Sequence, residues 1–178
     1  MARILKDPLL QIANAILLFG MGLMALAAAA CTIAIPVMIF NRDKVLLGLA
    51  EEAPTVPTME AVWLVIGIIA FIIAMMVAMF AFLQRLRWIV KSVGASDPFV
   101  PENAAHLTTA AWLMLGIQIL SIPAGLLALR LKPMISEDTS VSMAGGDTNG
   151  LLLVLTLFIL ARVFRTGTRM REELEGTV

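Results

Sequence analysis

Residues that commonly carry chemistry are scarce in this chain. Its one cysteine, Cys31, cannot form an internal disulfide, so the redox compartment stays open. Its one histidine, His106, has no second histidine or cysteine ligand beside it, which argues against a metal site. Serines occur, but nothing arranges a base and an orienting group around one of them as a nucleophilic triad requires. We therefore expect neither a cofactor nor an enzymatic activity. Charged residues make up only 15% of the chain, where a soluble domain carries about 25%. The 13 basic and 13 acidic residues cancel, so no global field recruits nucleic acid, and no direct nucleic-acid contact is expected. Ionisable groups are also missing from the middle of the apolar runs, where a transporter or proton pathway normally places them.

What the chain has instead is apolar length. Hydrophobic residues fill 60% of the 178 positions and mean hydropathy is +0.94. They gather in four runs, 12–40, 61–83, 107–129 and 150–164. A helix needs about 20 apolar residues to cross a hydrocarbon core of about 30 Å. The runs predict an all-α integral membrane protein, a four-helix bundle forming a single membrane domain over 1–178. Its two cytoplasmic elements are a connector, 84–106, and an amphipathic tail, 165–178. The lipid bilayer is thus the first expected partner. The small residues before Cys31 imitate a signal or lipoprotein cleavage site. Apolar sequence continues past them to Phe40, however, where a signal's core of about 7–15 residues would give way to polar sequence.

Orientation follows from Lys and Arg near the span ends. Arg3, Lys6, Arg85, Arg87, Lys91, Arg162, Arg165, Arg169 and Arg171 fall on one side, and Arg42, Lys44, Arg130 and Lys132 on the other. Nine against four predicts that both termini and the middle connector are cytoplasmic. The two outer loops carry most of the acidic residues. Breaker-rich stretches at 53–58 and 144–150 mark them as solvated connectors.

Within the runs, the first is about 44 Å long as a helix and must tilt, protrude or bend, with Pro36 a candidate kink. The second carries a stripe of Gly67, Ala70, Ala74, Ala78 and Ala81, which suits close helix packing inside the bundle or, alternatively, a homo-oligomer face. Gly116 and the segment 121–125 suggest another close contact with a bend. Asn14 and Gln118 are the polar residues that a transport pathway through the bundle centre would use. The fourth run has only about 17 Å of uncharged helix, 151–161, before Arg162, which must snorkel to the headgroups or pair in the bundle.

Two runs continue as amphipathic helix on the cytoplasmic side. Leu86, Ile89, Val90 and Val93 mark one face after the second run; Val163, Gly167, Met170 and Leu174 mark one after the fourth, opposite Arg162, Arg165 and Arg169. Trp88 suits an interfacial anchor. Glu172, Glu173 and Glu175 oppose the helix dipole, so the tail is expected to fray. Gly94 can end the second helix and Asp97-Pro98 forces a turn. Pro101 and Glu102 suit the first turn of the third helix. Phe99 is expected to fold back onto the bundle.

The connector Asp97-Pro98-Phe99…Glu102-Asn103-Ala104…Leu107 and the ending Val163-Phe164-Arg165-x-Gly167-x-x-Met170-Arg171-Glu172-Glu173…Glu175-x-Thr177-Val178 resemble a bacterial four-span family known only as a domain of unknown function. The chain differs from that family at His106 and Thr108, where basic residues are common, and at Arg162, where an acidic or amide residue is common. The resemblance implies no assigned reaction. Genes of that family often neighbour a very small helix-turn-helix regulator, which implies an inner-membrane partner for a cytoplasmic transcription factor. On this reading Arg85, Arg87, Lys91, Phe99, Asn103, Arg162, Arg165 and Arg169 are the candidate partner contacts. The rival expectation is a small transporter or channel subunit with a polar centre near Asn14 and Gln118.

Overall fold

The computed structural model describes residues 8–52, 59–94, 100–135 and 148–175. These form five helices: α1 (Pro8–Phe40), α2 (Arg42–Glu52), α3 (Met59–Gly94), α4 (Pro101–Ile135) and α5 (Thr148–Glu175). Four of them, α1, α3, α4 and α5, are long and apolar enough to cross a membrane. Each contains one of the four apolar runs. No strand occurs among the described residues. The breaker-rich stretch 53–58, most of the second outer loop, the turn 97–99 with Phe99, and the basic residues Arg3 and Lys6 lie outside the described residues.

The helices outrun a bilayer. At 36 residues α3 reaches about 54 Å, and its last eleven positions, 84–94, continue the helix beyond the apolar run. The amphipathic continuation read from Leu86, Ile89 and Val90 therefore forms. Gly94 is the last residue of α3 and Pro101 the first of α4, as their chemistry dictates. The tail does not stop at its glutamates. α5 runs on to Glu175, with Arg169 and Glu173 joined at 3.0 Å one turn apart.

α2 is a helix inside what reads as an outer loop. Asn41 makes the joint: its amide N–H and its side-chain Nδ2 both donate to the Val37 carbonyl at 3.0 Å. Its own carbonyl accepts from Lys44 and Val45, at 2.9 and 3.1 Å. One residue thus closes α1 and opens α2, and Asp43 sits favourably in the new first turn.

The long helices pack in chain order as a row: α1 against α3, α3 against α4, and α4 against α5, with α1 and α5 at the two edges. The best-packed region is the connector half of α3, α4 and α5, where Phe82, Leu107, Ala110, Ala111, Leu157 and Ala161 form a core. Ala110 and Ala111 are fully buried. Lipid surroundings offer no hydrophobic drive between helices, so close backbone approach over small side chains has to hold them together. Gly67 serves the same end at the other half, where a Cβ would come within 3.3 Å of Leu127 on α4. The stripe on α3 thus packs inside the molecule at Gly67, whereas Ala70 is exposed. Gly116 faces open space and makes no close contact. α1 is the loosest of the four long helices: Met21 is its one buried residue, while Phe19, Leu26 and Phe40 are exposed. Such an apolar exterior is stable only under lipid. The chain is a multi-pass membrane protein.

Candidate functional site

Helix alternation gathers the start of α1, the end of α3, the start of α4 and the end of α5 at one end of the molecule. Seven of the basic residues there are described: Arg85, Arg87, Lys91, Arg162, Arg165, Arg169 and Arg171. At this connector end α3 and α4 are joined by Asn103, whose backbone N–H donates to the Val100 carbonyl at 3.0 Å. Its Oδ1 lies 2.8 Å from Ser92 Oγ, which is also 2.8 Å from the Ile89 carbonyl. One hydroxyl proton cannot fully serve two acceptors. The arrangement is satisfied when the Asn103 carboxamide turns its NH2 toward Ser92 and the hydroxyl donates to Ile89. Only 1% exposed, Asn103 has no surface to offer a partner. It is a strut between helices.

Arg85 and Arg87 also face inward. Arg85 Nη1 lies 3.4 Å from His106 Nδ1. A guanidinium can only donate, so Nδ1 accepts and the imidazole is neutral with its proton on Nε2. The His106 ring stacks on Trp88 at 6.2 Å, and Lys91 Nζ stands 5.6 Å from the Trp88 ring centroid. His106 is thus occupied as a packing and acceptor group. Among the described residues no cluster of three or more His, Cys, Asp or Glu side chains could hold a metal. Arg87 Nε donates to Asn14 Oδ1 at 3.0 Å, tying α1 to α3 across 73 positions of sequence. Asn14, Ser92 and His106 are site residues that basic-residue counting overlooks. Their signal was polarity next to a span, without any indication of which cation each would meet.

The Asn14–Arg87 bond gives a direct expectation. A hydrogen bond to a charged group contributes about 1.5–3 kcal/mol, and partial exposure here reduces that to about 1 kcal/mol. Asn14→Leu should therefore loosen α1 from α3. Gly20 faces Leu83 across the same contact. Cysteines placed at 20 and 83, with Cys31→Ala, should cross-link about fivefold more slowly when Asn14 is replaced.

Arg165 and Arg169 lie on the seam between α4 and α5. There a groove of about 410 Å³ is bounded by Pro101, Ala104 and Ala105 on one side and by Arg165, Thr168, Arg169 and Glu172 on the other. Thr168 is buried and its hydroxyl donates to the Phe164 carbonyl at 2.9 Å, so it offers no free donor. Arg162 is exposed on α5 beside Ile159 and Val163, with no ion pair to another described residue, and snorkelling is the arrangement left to it. The stripe Val163, Met170 and Leu174 is exposed, and helical spacing points it away from α4.

The two polar span residues do not share a centre. Asn14 sits at the connector end beside Arg87, whereas the Gln118 amide lies against Gly150 at the opposite end, where α5 begins. No polar cavity joins them among the described residues.

Residues 45–178 match a family described as a protein of unknown function, DUF2975. The chain belongs to that family, as the connector and tail residues suggested. The match takes in the whole of α3, α4 and α5. No curated protein and no solved structure is similar to the chain.

Proposed function

We propose that this member of the family is a non-enzymatic protein of the bacterial cytoplasmic membrane that docks a small cytoplasmic helix-turn-helix regulator and responds to the state of the bilayer. Both termini and the connector face the cytoplasm on this reading. Its support is the excess of Lys and Arg at the connector end, which is the retained side under the positive-inside rule.

The observation that carries the docking role is the exposed apolar stripe on the tail of α5. Met170 is 60% exposed and Leu174 is 72% exposed, one turn apart. Leu174 lies about 15 Å along the helix beyond Phe164, the last residue of the apolar run. An amphipathic helix with an exposed apolar face is a common way to recruit a partner's groove. The rigid core of Leu107, Ala110, Ala111 and Leu157 holds that helix at a fixed angle. Of the candidate contacts, Arg162, Arg165 and Arg169 are exposed and can take part in recognition, while Arg85 and Arg87 are engaged within the molecule.

Co-expression with the small regulator encoded beside the gene tests this reading. The regulator should sediment with membranes in the presence of the intact protein. Met170→Asp combined with Leu174→Asp should return it to the soluble fraction, an effect of at least about tenfold if the pair forms an interface hot spot. A regulator that stays soluble with the intact protein, or stays membrane-bound with the double variant, refutes it.

A further inference from the structure

We infer that the α4–α5 groove at the connector end is a site for one anionic phospholipid, its phosphate held by Arg165 and Arg169 and an acyl chain lying on the Trp112–Phe158 pair. Three observations converge on this. First, the groove holds cationic side chains over a partly apolar lining, with Ala104 and Ala105 opposite Arg165. Arg165 has no hydrogen-bond or ion-pair partner among the described residues, while Arg169 shares its charge with Glu173 at 3.0 Å.

Second, the aromatic pair lies directly beneath the groove on the same seam. Trp112 follows Ala105 by seven residues on α4, and Phe158 precedes Arg165 by seven on α5, so each is two turns, about 10.5 Å, deeper along its helix. Their rings meet edge to face at 5.4 Å, and Trp112 is 61% exposed. An amphiphile with a charged head and an apolar chain fits that vertical order, and a small soluble anion would use only its upper part.

Third, charge on α5 is sorted by depth. Arg162, Arg165 and Arg169 come first along α5 at the end of its apolar run, and Glu172 and Glu173 follow farther out. A soluble anion arriving from the aqueous side meets Glu172 at the groove's rim, as well as Glu102 in the first turn of α4. A lipid phosphate approaches laterally, at the level of Arg165, and avoids both carboxylates. The occupant is therefore a lipid headgroup. The inference rests on the membrane-spanning fold alone and needs neither the regulator nor a particular orientation.

The test uses the full chain with Trp63→Phe and Trp88→Phe, so that Trp112 is the sole emitter, in phosphatidylcholine vesicles. A minor fraction of lipid brominated on its acyl chains is added, either as phosphatidylglycerol or as phosphatidylcholine. Brominated phosphatidylglycerol should quench Trp112 more strongly at equal mole fraction. That preference should fall about fivefold for each arginine lost in Arg165→Gln and Arg169→Gln. Arg165→Lys should keep most of it, which separates loss of charge from loss of fold. Millimolar inorganic phosphate should leave the preference intact. Equal quenching by the two lipids, a preference that survives the double variant, or one abolished by free phosphate each overturns the proposal. Because no regulator is present, this outcome is independent of the docking test.

Discussion

Ala111→Phe is expected to drive α4 and α5 apart and to lower stability by about 3 kcal/mol, at the upper end of what overpacking a tight site costs. Ala111 is fully buried and follows Ala104 by seven residues, which places it on the face of α4 that lines the seam with α5. Ala110 likewise follows Asn103 by seven, on the face turned to α3. Neither alanine leaves room for a ring. The helices cannot respond by burying other apolar surface, because lipid already covers what water would otherwise penalise. Gly116→Ala on the same helix supplies the contrast. A Cβ there meets nothing within 4 Å, and removing a glycine from a helix interior is worth about 1 kcal/mol in the stabilising direction. Unfolding in mixed detergent micelles should rank the variants Gly116→Ala, wild type, Ala111→Phe. A neutral Ala111→Phe would mean that α4 and α5 are not closely packed at this level.

Asn103→Ala should cost about 2 kcal/mol, within the range for leaving a buried polar partner unmade. The substitution strips Ser92 of its 2.8 Å partner across the α3–α4 contact and leaves its hydroxyl bonded to the Ile89 carbonyl. Ser92→Ala alone should cost less, since it removes a half-buried hydroxyl where Asn103→Ala removes a fully buried carboxamide. A double-mutant cycle on the same detergent titration should return a coupling of about 1 kcal/mol between the two side chains. Additive losses would show that Asn103 and Ser92 do not stabilise each other. Asn103→Asp is informative as well: an ionised carboxylate at a site this buried is destabilising unless it neutralises, so the penalty should ease as pH falls toward the carboxylate range. Since a carboxylate with a raised folded pKa is favoured in its protonated form, stability in that variant rises on acidification.

These expectations place the protein's mechanical stiffness at the end where its charges gather. The same contacts that lock α3, α4 and α5 together there also set the level at which Arg165 meets a headgroup and Leu174 meets the cytoplasm on the proposed orientation. A loosened seam should therefore weaken both lipid preference and docking, while a change to α1 at Asn14 should leave the α4–α5 groove intact.

The parts legible in the sequence were those encoded locally. Uninterrupted apolar runs can satisfy their backbone groups only as helices in lipid, so four spans followed from hydropathy and length. Gly94 and Pro101 marked the ends of α3 and α4 because each acts on its own backbone. α2 escaped notice since its signal was a single joint residue, Asn41, bonding in both directions, beside a breaker-rich stretch that reads as loop. Arg85, Arg87, Asn103 and Arg165 look alike as polar residues outside the runs, and only the tertiary structure separated them. The register of antiparallel helices put Arg87 against Asn14, Arg85 against His106 and Asn103 against Ser92, and left Arg165 facing a groove. Hydropathy is a property of each segment by itself. The partner of a side chain depends on how two segments slide and rotate against each other, and that is settled by packing small residues such as Ala110 and Ala111 across helices.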